Sequence, residues 1–217
     1  MKKTLLTMVL LVASLVTFAQ SEEENTNKWI ENYQQFQTNK DWNGMISNFD
    51  QCIKEVPSWN WAYYYKGFAE LNTSDYQGAV NDLSTFITKV DTLAQAYMSR
   101  ANAYLKLNQA NEAIKDYDKY LSMVPNNVDA LMGKANAHVM LKDYDNYIKD
   151  LTQVIAIDPN NIDAYQNRAS VYGMKQDWAN AINDYTQIIN IKPDAQTYLS
   201  RAYANYATQT AESFKNA

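Results

Sequence analysis

The feature that most constrains the fold of this chain is an internal repeat with a period of 34 residues. All four prolines fall in its register, separated by 68, 34 and 34 residues, with Asp91 in the slot left open between the first two: Pro57, Pro125, Pro159 and Pro193. Apolar and small residues recur with the same period, as in Phe49, Leu83, Tyr117, Leu151 and Tyr185, or in Gly67, Ala101, Ala135 and Ala169. Five copies in one register predict an array of stacked supersecondary units.

Within one copy, the apolar residues are spaced as on two helices. In the fifth copy, Tyr165, Ala169 and Tyr172 form the stripe of a first helix, and a second stripe runs from Trp178 to Ile189. Proline closes the second helix because it lacks an N–H group and disfavours helix in the preceding residue. An Asp that can cap the second helix stands before it in four copies, at Asp41, Asp75, Asp143 and Asp177. Each copy is therefore predicted to be a helix hairpin.

This pattern resembles the tetratricopeptide repeat family. The resemblance rests on the 34-residue length, the early aromatic residue, the two small residues and the closing proline, all present between Ala164 and Pro193. It implies an all-α fold, an α-solenoid of five tandem helix-turn-helix repeats followed by a C-terminal capping helix. The predicted repeats are residues 26–59, 60–93, 94–127, 128–161 and 162–194, and the capping helix with its tail is residues 195–217.

The first residues have the composition of a targeting segment. Lys2 and Lys3 precede an apolar run that ends in small residues near Ala19, and three glutamates follow. This order predicts a secretory signal peptide at residues 1–19 and a short acidic linker at residues 20–25. A membrane anchor is the disfavoured alternative, because the run is shorter than the ~20 apolar residues that a bilayer span requires. We therefore expect an exported protein of bacterial type, periplasmic or extracellular.

Residue types that carry catalysis or bind metals are scarce. The chain has one Cys and one His, and no glycine-rich phosphate loop, paired histidines or Ser-His-Asp set can be assembled. Cys52 and His138 each share the phase of a packed helix stripe, so both are predicted to be structural. The net charge of −5 disfavours general binding to nucleic acid. We expect a protein without enzymatic activity, metal or cofactor.

A charge pattern follows the repeat. A basic residue recurs in the first helix of each copy after the first, at Lys66, Arg100, Lys134, Arg168 and, one position early, Arg201. An acid recurs in the second helix, at Asp82, Asp116, Asp150 and Asp184. In the first copy both slots are neutral, as Asn32 and Asn48. Because both charges are lost together, we predict that they meet, within one hairpin or between neighbouring copies; the alternative is a set of independent surface charges.

The resemblance implies a protein-binding scaffold whose concave face is lined by the first helices. Carried over by phase, the predicted partner face consists of Trp61, Tyr64, Phe68, Leu71, Met98, Asn102, Met132, Asn136, Met140, Met174 and Tyr203. Methionine adapts to apolar ligands, and exposed Tyr and Trp are typical binding anchors. We expect this face to bind an uncharged or apolar segment of another protein, with both asparagines bonding the ligand backbone.

Two alternatives stand beside this prediction. The same side chains could be ordinary core, covered by tight coiling of the array or by the capping helix. The protein could instead be a structural or assembly component that associates with itself or stacks end to end.

Overall fold

The computed structural model describes residues 27–215, with side chains described up to residue 210. The predicted signal peptide (1–19) and linker (20–25) lie outside this part of the chain. The helices are α1 (27–39), α2 (Trp42–Glu55), α3 (Trp61–Thr73), α4 (Tyr76–Lys89), α5 (Ala94–Lys106), α6 (Ala110–Met123), α7 (Val128–Met140), α8 (Tyr144–Ile157), α9 (Ile162–Met174), α10 (Trp178–Ile191) and α11 (Ala195–Lys215). The described residues contain no strand, and the predicted class, an all-α solenoid of helix hairpins, is confirmed.

The turn inside each hairpin has one repeated conformation. The residue two positions before the second helix adopts a left-handed backbone with φ between 55° and 67°, at Lys40, Ser74, Asn108, Lys142 and Gln176. The predicted caps are confirmed, since each Asp side chain accepts from the backbone N–H three residues on: Asp41, Asp75, Asp143 and Asp177. Gln109 replaces Asp before α6 and makes no side-chain capping bond. The local chain reversal is thus encoded by short sequence signals.

The second helices end in the same register whether or not proline follows. α2 ends at Glu55, two residues before Pro57, and α4 ends at Lys89, two residues before Asp91. The C-cap residues Val56 and Val90 have extended or near-extended backbones. The register in which the second helix ends therefore does not depend on the proline.

The chain divides into two compact units, residues 1–103 and 104–217, so that the boundary falls inside α5. Among the helices described here, none combines the length and the hydropathy that crossing a membrane takes.

The core of the first unit is rich in aromatic residues. Trp29, Met45, Phe49 and Cys52 are buried together, and the rings of Phe49 and Tyr65 stack with centroids 5.3 Å apart. A Cβ atom at Gly67 would lie 2.8 Å from Leu83 Cγ, so α3 and α4 pack at a separation that requires glycine. This contact is the close approach that the recurring small residues predict.

The core of the second unit is mostly aliphatic. Leu131, Leu151, Val154 and Val171 are buried in one cluster formed by α7, α8 and α9. Tyr117 of α6 is completely buried, and its hydroxyl and ring fill the space beside Gly133 of α7. Burial of the Tyr117 side chain raises the pKa of its hydroxyl, which therefore stays neutral.

The predicted pairs of basic and acidic residues are confirmed inside three hairpins. The cation and the carboxylate approach to 3.0, 3.6 and 2.7 Å in Lys66–Asp82, Lys134–Asp150 and Arg168–Asp184, respectively. In the first hairpin the neutral pair meets in the same way, because the Asn32 amide donates to Asn48 Oδ1 at 2.9 Å. The joint loss of both charges in that copy thus preserves a contact rather than abolishing it.

Each basic residue also reaches back to the second helix of the preceding hairpin. Its partners there are carboxylates or hydroxyls, in Lys66–Asp50 at 2.8 Å, Arg100–Ser84 at 3.0 Å, Lys134–Asp118 at 2.8 Å, Arg168–Thr152 at 2.8 Å and Arg201–Thr186 at 3.4 Å. The two geometries that the sequence left open are therefore both present. We call this series of contacts the polar ladder.

Candidate partner-binding surface

In the first unit, the predicted partner face begins with an aromatic patch on α3. Trp61 is exposed, and its ring lies edge-on to Tyr64 with centroids 5.9 Å apart. Both rings also contact Phe86 of α4, at 5.2 and 5.3 Å, which holds them in place. Desolvation, and then the neighbouring hydroxyl of Tyr33, raises the pKa of Tyr64 to about 12. Tyr64 therefore offers a neutral hydroxyl beside an exposed indole.

The other predicted residues of the first unit lie along α3 and α5. Phe68 and Leu71 are half-buried, and the Phe68 ring lies edge-on to Trp42 of α2 at 5.8 Å. Met98 is half-buried and Asn102 is exposed. This part of the face is thus a fixed apolar wall with one exposed amide.

In the second unit, the predicted residues of α7 differ in exposure. Met132 is half-buried and packs against the core cluster of α7 to α9, whereas Asn136 and Met140 are exposed. A substitution of Met132 would therefore change the stability of the fold as well as the surface. A substitution of the exposed Met140 tests binding more directly.

The second unit also holds an open groove of about 550 Å³ between α9, α10 and α11. It brings together two residues of the predicted face, Met174 and Tyr203, whose exposed fractions are 63% and 65%. Leu199, exposed to 64%, and Trp178 complete its apolar lining, and the rings of Trp178 and Tyr203 lie edge-on at 5.9 Å. Two residues of the predicted face thus meet in one apolar groove.

Sequence reasoning missed several members of this groove, two of them aromatic residues of α10. Trp178 and Tyr185 share the stripe of the second helix, which predicts core, yet both line the cleft. Both are half-buried. The signal that could have found Trp178 is its place in the first turn of α10, beside the end of α9, where a large side chain reaches past the hairpin.

Cys52 is buried, as predicted, and His138, predicted to be a packed or partly exposed structural residue, is buried too. His138 Nδ1 lies 2.7 Å from Asp150 Oδ2, and Lys134 lies 3.6 Å from the other oxygen of the same carboxylate. The sequence did not predict this carboxylate partner. Burial raises the pKa of Cys52 to about 12, so its thiol is protonated. Within residues 27–215 no group of His, Cys, Asp and Glu side chains is arranged to hold a metal ion.

Glu70 occupies in the second copy the phase that His138 occupies in the fourth. It is buried, and its Oε2 has no hydrogen-bond partner within the described part of the chain. Desolvation, followed by the nearby Asp82 carboxylate, raises the pKa of Glu70 to about 8, although Lys66 lies 3.6 Å away and opposes the shift. Glu70 is therefore held in its protonated form near neutral pH.

Comparison with known proteins supports the predicted repeat over part of the chain. A tetratricopeptide repeat family model matches residues 98–162. No curated relative matches the chain. Among solved structures, MamA from Desulfovibrio magneticus RS-1 is 16% identical, with a TM-score of 0.69, over 76% of this chain and 93% of its own.

Two further solved structures share the fold. YrrB, described as a TPR protein with an unusual peptide-binding site, is 17% identical over 83% of this chain and 90% of its own, with a TM-score of 0.69. The C-terminal part of a TPR repeat-containing protein from Cytophaga hutchinsonii is 16% identical over 83% of this chain and 72% of its own, with a TM-score of 0.73. Residues 98–162 thus match the tetratricopeptide repeat, and the fold of the chain is one that solved tetratricopeptide repeat proteins share.

Proposed function

We propose that this protein is an exported, non-catalytic scaffold that binds an uncharged or apolar segment of a partner protein on the predicted partner face. The observation that carries the proposal is the groove of Met174, Trp178, Leu199 and Tyr203, in which Met174, Leu199 and Tyr203 are 63–65% exposed. Exposed apolar side chains gathered in one cleft are typical of a binding site. Proteins built from this repeat are generally interaction scaffolds, and YrrB is described as binding a peptide.

The chemistry of the groove defines the ligand. Its lining consists of a methionine, aromatic rings and a leucine, with Gln196 and Ser200 as neutral polar groups. Among the described residues, no charged side chain lines it. An apolar peptide segment would bury its side chains against Met174 and Trp178, and neutral donors and acceptors would satisfy its backbone. Binding of this kind depends weakly on salt.

The test compares the wild-type protein with a Met140→Glu/Met174→Glu double variant. Partners are captured from an envelope extract, identified by mass spectrometry, and their uncharged segments are then titrated as synthetic peptides by calorimetry. We expect the double variant to lose at least ~10-fold in affinity, which corresponds to about 1.4 kcal/mol. Its helicity and melting temperature should stay near the wild-type values, because both side chains are exposed.

The matched control is Ile157→Glu, which places the same charge on an exposed apolar position of α8 outside the predicted face. This variant should bind like the wild type. Equal binding by all three proteins, or wild-type affinity that falls steeply between ~0.05 and ~0.5 M salt, would contradict the proposal. Light scattering during size-exclusion chromatography tests the assembly alternative, for which a stable oligomer is expected.

A further inference from the structure

The last helix, α11, carries the residues of a first helix. Shifted by 33 residues, its Tyr198, Arg201 and Ala202 correspond to Tyr165, Arg168 and Ala169 of α9. On α9 this face packs against α10, which leaves Tyr165 8% exposed and Ala169 fully buried. On α11 the same face has no helix packed on it among the described residues, so Tyr198 is 46% exposed and Ala202 is exposed.

The uncovered face is an open, largely apolar surface, and all of its described residues belong to α11. It is formed by Ala195, Tyr198, Leu199, Arg201, Ala202 and Asn205. α11 packs against α10 on its other side, as a capping helix should. Its outer face, however, is not the polar surface with which terminal repeats usually meet water.

Arg201 on this face makes the backward contact of the polar ladder but not the ion pair that its equivalent Arg168 forms within its own hairpin. Towards the preceding hairpin it donates to Thr186 Oγ1 at 3.4 Å, as Arg168 donates to Thr152. On the other side, Arg168 binds both oxygens of Asp184, at 2.7 and 2.9 Å. No carboxylate of the described residues lies within ion-pair distance of Arg201. The outer face of α11 therefore presents the incompletely paired guanidinium of Arg201 beside the apolar side chains of Tyr198 and Leu199.

We propose that this outer face of α11 docks an amphipathic helix of a partner protein that carries an acidic residue for Arg201. The occupant takes the place that a second helix has in each hairpin. Its chemistry follows from charge complementarity and from the helices that cover the equivalent faces. This surface is distinct from the groove around Met174, with which it shares Leu199, and the inference does not depend on the proposed function.

The second helices of the last four hairpins define the pattern that fits. Each of these four is 14 residues long and carries an Asp three positions after one core residue and four before another, in Ala79-Asp82-Phe86, Ala113-Asp116-Tyr120, Tyr147-Asp150-Val154 and Ala181-Asp184-Ile188. In α10 all three of these residues are buried against neighbouring helices. A partner helix with a small residue, an acid and an apolar residue at this spacing would cover Ala202, pair with Arg201 and pack on Tyr198.

The experiment uses a peptide with the sequence of residues 177–192, which includes α10, as the probe. Its fluorescently labelled form is titrated with the full-length protein and followed by anisotropy. We expect saturable binding, and at least ~10-fold weaker binding of a peptide with the Asp184→Asn substitution. Arg201→Glu should abolish binding of the original peptide, and a peptide with Asp184→Lys should restore it.

The matched protein control is Lys175→Glu, which makes the same charge change at an exposed ion pair with Asp145, away from the outer face of α11. This variant should bind the original peptide as the wild type does. The Asp184→Lys peptide keeps the test valid even if Arg201→Glu loosens α11. Restored binding by this peptide requires that α11 is still folded and presents its outer face.

Three results would overturn the proposal. Equal binding of the original and the Asp184→Asn peptides would show nonspecific apolar attachment. A concentration-dependent dimer that Tyr198→Glu dissociates would show that a second copy covers the face. Co-sedimentation with phosphatidylcholine–phosphatidylglycerol vesicles, without saturable peptide binding, would assign the face to a lipid surface.

Discussion

At the scale of single residues, Glu70 is the most unusual side chain in the described part of the protein. It is buried beside Asp82, and one of its oxygens has no partner. Repulsion between two neighbouring carboxylates disfavours ionisation of both, and desolvation disfavours the ionised form of Glu70 further. The pKa of Glu70 is therefore raised from 4.5 to about 8. Its proton is part of the folded structure.

This raised pKa predicts a pH dependence of stability. Between pH 4.5 and about 8 the folded state binds a proton at Glu70 that the unfolded state has released, so stability falls as the pH rises through this window. Glu70→Gln, which imitates the protonated acid, should remove this slope and be more stable than the wild type above pH 8 by about 1–3 kcal/mol. Urea unfolding at several pH values measures both effects. Glu112→Gln, at an exposed site, should leave the slope unchanged, and an unchanged slope in Glu70→Gln would contradict the assignment.

At the scale of helices, the contact between α6 and α7 depends on the absence of a side chain at Gly133. A Cβ atom there would lie 2.4 Å from the Tyr117 hydroxyl and 2.5 Å from its ring. Tyr117 is completely buried, so its ring cannot move into solvent. At Gly173 of α9, by contrast, a Cβ atom would meet Trp178 at 3.4 Å, an ordinary contact.

The two glycines therefore predict opposite effects of one substitution. Gly133→Ala should destabilise the protein by about 1–3 kcal/mol, because overpacking exceeds the gain in helix propensity. Gly173→Ala should leave stability unchanged or raise it by up to about 1 kcal/mol. Chemical denaturation of both variants checks the comparison. If both stabilise the protein equally, the close approach of α6 and α7 is wrong.

At the scale of the whole molecule, the polar ladder joins hairpins to their neighbours. Arg168 contacts Asp184 within its hairpin and Thr152 of the preceding one. Asp184 is almost completely buried, so removing the arginine alone would leave an uncompensated charge. The first hairpin supplies a natural neutral version of this contact, Asn32 with Asn48.

The ladder predicts a non-additive pair of substitutions. Arg168→Asn should destabilise the protein by about 3–5 kcal/mol and increase hydrogen exchange in α8 and α10. Adding Asp184→Asn should recover part of the loss, because an amide pair replaces the unpaired carboxylate. Lys175→Asn, which breaks an exposed ion pair, should cost less than about 1 kcal/mol. Additive effects of the first two substitutions would contradict the ladder.

The sequence by itself determined the features that lie within one hairpin. The period places residues on a helix face, so the buried positions of Phe49, Leu83 and Ala169 were predictable, and an Asp before a helix acts within three residues. That Lys66 and Asp82 meet was predictable from the joint loss of both charges in the first copy, although the sequence left open whether such pairs form within one hairpin or between neighbours. For the partner face, phase selected Met174 and Tyr203, which the structure brings into one groove.

Only the tertiary structure decided what depends on distances between helices. The backward contacts of the ladder, the carboxylate beside His138 and the acid pair of Glu70 require a known approach of one helix to the next, and a periodic pattern contains no distances. Exposure is equally non-local: Tyr165 and Tyr198 occupy equivalent places on α9 and α11, yet one is buried by the following helix and the other is open. The sequence specifies which face a side chain occupies, whereas the neighbour that covers this face decides whether it is core or surface.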